Sequence, residues 1–297
     1  MFRFFCAYQN MLILFSLSLN LVMNDYQNLF TANKASWNKR TAVHKDSAFY
    51  DLEAFKKGKS SLNTIELEAL GNVKDKKLLH LQCHFGMDTM SWAREGAIVT
   101  GVDLSDEAIK LAREINAELK LNAGFICSNI YDLVDKTNVG SANLKKESFD
   151  IVFTSYGTIG WLPDLDKWAE IISFYLKPGG VFYIADFHPA LWMMDDDFKY
   201  VKYDYFNTSI IQEETAGTYT DRNAAIKSTE YNWNHSFAEI FSALLKHQMI
   251  IKEFMEFPFS PYNCFNNVEQ GADDMWRIKD MNGKLPMLYS IKATKQL

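Results

Sequence analysis

From Leu78 onward short apolar runs alternate with amphipathic stretches, and that alternation predicts βα units on a parallel sheet. LLHLQ (Leu78 to Gln82) reads as a buried strand, and Asp88 to Glu95 as a helix opening on a charged turn. AIVTGVD (Ala97 to Asp103) is the second strand. Ser105, followed by Asp106 and Glu107, caps a helix whose apolar positions Ala108, Ile109, Ala112, Ile115 and Leu119 recur at helical spacing. A strand at Gly124 to Ser128 comes next, then a polar excursion over Lys136 to Ser148. The strand FDIVFTS (Phe149 to Ser155) and a helix from Asp164 to Tyr175 follow, and the turn Lys177-Pro178-Gly179-Gly180 delivers a fifth strand, Val181 to Phe187.

The stretch His188 to Asn234 breaks this rhythm. It is aromatic and Asp-rich, with alternation only near Tyr200 to Phe206 and Glu230 to Trp233, and it reads as an insertion over the sheet. A helix over Ser236 to His247, a strand over Ile250 to Phe257 and a last strand over Pro286 to Ala293 close the pattern. At the other end, Met11 to Met23 is an apolar run too short for a comfortable membrane span and about right for a signal segment. It lacks a small-residue cleavage pattern and is interrupted by Ser16, Ser18 and Asn20, so the favoured expectation is a start at Met23 with read-through upstream. A membrane anchor and a cleaved signal are the alternatives. The expected organisation is therefore an extension (1–22), an N-terminal helical cover (23–70), a cofactor-binding core (71–187), a substrate-lid insertion (188–234) and a C-terminal completion of the sheet (235–297).

Composition changes this picture little. With 48% hydrophobic and 23% charged residues the chain of 297 is of globular type, and a net charge of -6 offers no general attraction to nucleic acid. Cys6, Cys83, Cys127 and Cys264 are too scattered for a disulfide framework or a structural zinc site, and suit a reducing cytoplasm; no metal is expected. Asp195-Asp196-Asp197 reads as a solvated charge run, because consecutive acids converge poorly on an ion.

A parallel core places its ligand beyond the carboxyl ends of the strands, beside the first of them. The turn there, Cys83-His84-Phe85-Gly86-Met87-Asp88, carries one glycine where a dinucleotide site wants three for close approach of a pyrophosphate. That disfavours NAD and leaves a nucleoside with a cationic tail, for which S-adenosylmethionine fits, with Asp88 facing its ammonium. The second strand ends in Asp103, seventeen positions beyond Gly86, near the spacing at which an acid reaches a ribose edge. Ser128 to Asp132 offers polar and apolar groups for an adenine, although Asn129 also suits a plain turn.

The segments LLHLQCHFGMDT (Leu78 to Thr89), VTGVDLS (Val99 to Ser105), FDIVFTSYGTIGWLPDL (Phe149 to Leu165) and LKPGGVFYIADFHP (Leu176 to Pro189) resemble the successive motifs of class I S-adenosylmethionine-dependent methyltransferases, in a bacterial small-molecule branch. WNKRTAVHKDS (Trp37 to Ser47), YNWNHS (Tyr231 to Ser236) and SPYNCF (Ser260 to Phe265) extend the resemblance over nearly everything after Met23. It implies a Rossmann-like α/β fold: a seven-stranded sheet with an antiparallel last hairpin and helices on both faces. It also implies that Gly86 and Asp88 meet the methionine part of the cofactor, Asp103 and Leu104 the ribose, and Asn129, Ile130 and Tyr131 the adenine. Ser155 and Tyr156 would form the floor near the methyl group. Trp37, Arg40, His44 and Tyr50 would cover the site, with Arg40 a candidate partner of the cofactor carboxylate. The chain departs from the superfamily pattern in its glycine-poor turn.

A sulfonium methyl is already electrophilic, so a base is needed only for a protonated acceptor. Asp186, His188, Tyr156, His235 and Tyr262 are candidates, with His188 first because it follows the fifth strand and titrates near neutrality. Cys83 beside His84 suggests a nucleophile pair, but neighbours on a strand point to opposite faces. Trp192, Tyr219, His235 and Tyr262, with Tyr156 and His188, make the expected wall for a small acceptor. The competing expectations are a cofactor-binding module without transfer activity and, less favoured, an NAD-dependent oxidoreductase.

Overall fold

The computed structural model describes residues 26–134, 144–281 and 283–297. The N-terminal extension and most of the polar excursion after Lys136 lie outside the described residues. The described residues open on helix α1 (residues 26–44), followed by α2 (Leu52–Lys56) and α3 (Thr64–Leu70). The alternating part then runs β1 (Lys77–Leu81), α4 (Met87–Arg94), β2 (Ile98–Asp103), α5 (Asp106–Glu118), β3 (Gly124–Cys127), β4 (Phe149–Ser155), α6 (Leu165–Tyr175) and β5 (Leu176–Phe187). The hairpin β6 (Ile211–Ala216) and β7 (Lys227–Asn232), helix α7 (Phe237–Lys246), strand β8 (Met249–Phe257), the short pair β9 (Val268–Gln270) and β10 (Trp276–Ile278), and β11 (Leu288–Lys295) complete it.

The sheet has seven strands in the order β3-β2-β1-β4-β5-β11-β8, parallel as far as β5, with β11 antiparallel to both its neighbours. This is the Rossmann-like architecture that the sequence led us to expect. Its central strands read as unbroken apolar runs because both faces are covered, and the side-chain period of two divides each run between two cores. Leu79 and Leu81, Val152, and Phe182 and Ile184 pack with Ile171 and Ile172 of α6 and Ile240 and Leu244 of α7. Leu78, Ile151 and Phe153, and Tyr183 and Ala185 face the other way, onto Trp92 of α4 and onto Leu62 and Val73.

Two local expectations are corrected. The expected alternation at Tyr200 to Phe206 is irregular chain with one bridge from Met194 to Val201; the hairpin forms later, between β6 and β7. The inward positions of β6 include Glu213 and Thr215, which carry no hydrophobic alternation to read. The Lys177 to Gly180 turn sits inside β5, which pairs at Leu176 with Phe149 and resumes at Val181 with Ile151. No helix among the described residues is long and apolar enough to cross a membrane.

Candidate functional site

The sheet order reverses between β1 and β4, and beyond their carboxyl ends, under α1 and the β6–β7 hairpin, opens a cavity of about 1070 Å³. That exceeds the volume of a typical single-ligand pocket and leaves room for a nucleoside-sized cofactor together with a small acceptor.

One end of the cavity is built by the β1–α4 turn. Gln82 and His84 hold left-handed φ values of 57° and 50°, and Gly86 follows at 76°. Gly86 alone needs to be glycine for space as well as for conformation, because a Cβ there would strike the ring of Phe125. Gly86→Ala is expected to destabilise the fold by about 1–3 kcal/mol and to weaken ligand binding at the turn. Urea unfolding with calorimetry checks it, and unchanged stability would show that the turn relaxes freely.

The His84 ring nitrogen Nε2 lies 3.0 Å from Nδ1 of His44. Loss of water around both rings, helped by the nearby Arg40 charge, pushes both pKa values down, that of His44 to about 3. Across the turn, Asp103 at the end of β2 accepts from His84 N and from Ser105 N, each at 2.8 Å. Burial pushes its pKa up to about 6 against the pull of these backbone donors. At the start of α4, Asp88 accepts from Ser61 Oγ at 2.7 Å and from Ser155 Oγ at 2.9 Å, and burial raises its pKa too.

The far end is aromatic. Rings of Phe187, Tyr156, Tyr262, Phe49 and Tyr219 follow one another at centroid distances of 6.3, 4.9, 5.7 and 5.4 Å. Tyr219 OH meets Tyr50 OH at 2.5 Å. Tyr156 sits at φ 34°, in a turn whose following N–H groups all point at the carboxylate of Asp186.

Of the residues expected to form the site, Trp37, Arg40, Gly86, Asp88, Asp103, Leu104, Asn129, Ile130, Ser155, Tyr156, Trp192, Tyr219 and Tyr262 line this cavity. Four do not and are corrected. His188 is buried with Nε2 on Glu256 at 2.8 Å and Nδ1 accepting from Ala190 N at 3.0 Å, so both ring nitrogens are used away from the cavity. His235 lies between the Leu162 carbonyl, at 2.7 Å, and Glu239. Tyr131 turns its hydroxyl to the Asp164 carbonyl at 2.8 Å, beneath the ring of Phe30. His44 backs His84 without reaching the wall.

Arg40 is on the wall, but its guanidinium is paired with the buried carboxylate of Glu230 at 2.5 Å and fastens α1 to β7. That corrects its role as a free partner for a ligand carboxylate. Asp186 is consumed by the turn and is not available as a base. Asp195 and Asp197 are tied locally, Asp195 by the N–H groups of Lys199 and Tyr200 and Asp197 by Lys199 Nζ at 2.7 Å.

Sequence reasoning missed Gln82, Ser61, Phe49 and Glu66. Glu66 is wholly buried at the start of α3, with Oε1 taken by Asn63 N at 2.7 Å and Oε2 by Tyr156 OH at 2.8 Å. The Asn63-x-x-Glu66 spacing of a helix cap was its only sequence signal.

Residues 72–249 match a family model described as a methyltransferase domain. The ubiquinone biosynthesis O-methyltransferase of Serratia proteamaculans is 27% identical over 154 residues, covering 50% of this chain and 60% of the relative. The protein of the same name from Coxiella burnetii is 28% identical over 113 residues, 38% of this chain and 44% of its own length. The chain thus spans about half the length of the curated relatives it matches. An S-adenosylmethionine-dependent methyltransferase structure from Clostridium acetobutylicum aligns with 94% of this chain and 100% of its own at TM-score 0.52 and 16% identity. One from Methanosarcina mazei aligns with 80% and 99% at TM-score 0.52 and 19% identity. These two likenesses are likenesses of fold.

Proposed function

Because the chain belongs to the methyltransferase-domain family, we propose that it transfers the methyl group of S-adenosylmethionine to a small-molecule acceptor. The observation that carries this reading is the Asp103 carboxylate at the end of β2, turned onto the cavity beside a turn with a single close-approach glycine. The turn suits such a ligand in a second respect: Gln82 and His84 line the cavity, and their buried Oε1 and Nδ1 have no partner among the described residues. Side chains at these two positions also block the backbone approach that a pyrophosphate requires, which argues against a dinucleotide.

In this reading Gly86 and Asp88 hold the methionine part, Asp103 and Leu104 the ribose, and Asn129 and Ile130 the adenine, with Trp37 above and Ser155 as the floor. When bound, the cofactor supplies an electrophilic methyl group on a sulfonium. The chain's own residues orient the acceptor against the aromatic wall and keep water out, which is where most of the acceleration of such a transfer arises. Two relatives named as O-methyltransferases favour an oxygen acceptor. A cytoplasmic setting fits a metabolite of this kind.

Calorimetry is expected to show binding of S-adenosylmethionine and S-adenosylhomocysteine and none of NAD. Fractionated metabolite extract should then drive conversion of the first into the second. Preferential NAD binding would replace the reading with an oxidoreductase. Cofactor binding without turnover on any fraction would reduce it to a binding module.

A further inference from the structure

We propose that Tyr156 and Glu66 form a proton relay that deprotonates the acceptor, so that the acceptor is a group carrying its proton into the cavity. The inference rests on the methyl-transfer reading and adds the acceptor's chemistry and the residues that act on it.

Three independent features meet at Tyr156. Its ring is part of the aromatic wall, between Phe187 and Tyr262, which places the residue at the acceptor end of the cavity. Its backbone is left-handed at φ 34°, a conformation a bulky residue holds only when its surroundings impose it. Here the Asp186 carboxylate imposes it by gathering the N–H groups of Gly157, Thr158 and Ile159. Finally, the hydroxyl donates to Glu66 Oε2 at 2.8 Å.

Glu66 is an unusual group to find there. It is 0% exposed, and its partners are neutral: Asn63 N and Nδ2 on one oxygen, Tyr156 on the other. Asn63 also donates to Tyr262 OH at 2.8 Å, which joins the cap of α3 to the aromatic wall. Capping α3 uses only Oε1; nothing in the helix requires the second oxygen to reach a cavity residue. The titratable groups facing Glu66 are Tyr156, Tyr262 and Tyr183 from the sheet and loops and Asp88 from α4. Burial above all, with the Asp88 charge, pushes its pKa up to about 7, against the hydrogen bonds from Asn63 and Tyr156. A carboxylate in that range accepts a proton at neutral pH and releases it again.

The cavity wall supports an uncharged acceptor. Its carboxylates outnumber its cationic side chains, which are Lys59, Arg222 and the already paired Arg40, so a preformed anion is repelled and must be generated in place. The step balances as follows. The acceptor X–H gives its proton to the Tyr156 oxygen while the Tyr156 proton passes to Glu66 Oε2. The X–H electron pair forms the new bond to the methyl carbon of the sulfonium donor, and the carbon–sulfur pair stays on sulfur as a thioether. Glu66 then returns the proton to solvent through Tyr156 as product leaves.

The test uses the full chain and the variants Tyr156→Phe, which keeps the ring packing, and Glu66→Gln. Carbon-13 NMR of glutamate-labelled protein, with the Glu66 signal assigned by its loss in Glu66→Gln, should show a carboxyl titrating near neutral pH. In Tyr156→Phe that titration should move further up. With extract as acceptor source, both variants should lose about 10²-fold or more of kcat while the KM for S-adenosylmethionine stays within about threefold. The rise of wild-type rate with pH through neutrality should vanish in Glu66→Gln. A Glu66 carboxyl titrating in the ordinary range, or variants that turn over at the wild-type rate with the same pH profile, would overturn the relay and leave methyl transfer standing. Wild-type protein that binds no S-adenosylmethionine would overturn both.

Discussion

Asp103→Ala is expected to weaken S-adenosylmethionine binding by at least about 2 kcal/mol, because a carboxylate taking charge-assisted bonds from hydroxyls is among the stronger single contacts. The fold should survive the change. The alanine abandons two backbone donors, His84 N and Ser105 N, at about 1.5 kcal/mol each or more. It also removes an acid whose folded pKa is raised from 3.8 to about 6. Such an acid binds its proton more tightly folded than unfolded, so it opposes folding by about 3 kcal/mol above pH 6 and by nothing below its unfolded value. At neutral pH the two effects nearly cancel. The same shift gives a second signature: wild-type affinity should fall as pH drops below about 6, where the carboxylate takes up its proton, and the variant should lack that dependence. Calorimetry between pH 5 and 8 reads both, with the pH range set about the shifted value. Wild-type affinity in a folded variant would exclude the ribose role.

Asp103 was legible for the same reason that the sheet was. A buried parallel strand writes itself as an apolar run, and IVTGVD ends at a fixed distance from the turn after the previous strand, so chemistry at strand ends can be located by counting. The glycine-poor turn was legible only in part. Its residues were visible, but that Gln82 and His84 would take left-handed backbone and each bury a polar atom without a partner among the described residues depends on how β1 meets α4.

Histidines misled for a converse reason. His188 and His235 occur where a base is wanted in sequence, yet the antiparallel strand β8 brings Glu256 against one, and the other turns Nε2 to the Leu162 carbonyl with Glu239 of α7 beside its second nitrogen. Glu66 was invisible because a glutamate in a helix's first turn reads as a solvated cap. What encloses it comes from far along the chain, including Tyr156, ninety residues later, and Tyr262, whose partner Asn63 lies 199 residues away. Contacts of that range have no local pattern.

The largest loss of stability is expected from Asp186→Asn. The carboxylate is 0% exposed and fully used: Oδ2 accepts from Thr158 N, Ile159 N and Thr158 Oγ1 at 3.0 to 3.1 Å, and Oδ1 from Gly157 N and from Phe187 N at 2.7 Å. Burial pushes its pKa up while these backbone donors pull it down. An amide keeps one accepting oxygen and presents N–H to the donors on the other side, so whichever way it is turned at least two buried backbone N–H groups lose their partner and face a like group. At about 1.5–3 kcal/mol for each of two bonds to a charged acceptor, the cost is about 3–6 kcal/mol, or a fall in Tm of about 10 °C for a chain of this size. The Asp186 clamp works beside the bond from Tyr156 N to Ala185 O at 2.8 Å in holding Tyr156 at φ 34°, and with the clamp weakened the tyrosine should relax away from Glu66. Methyl transfer should then fall further than S-adenosylhomocysteine affinity, since the cofactor contacts assigned to the turn after β1 and to the ends of β2 and β3 are untouched. Thermal melting, calorimetry and turnover on the same preparations separate these effects. A variant that melts within about 2 °C of the wild type would show that the Asp186 clamp is not what forces Tyr156 into its strained position.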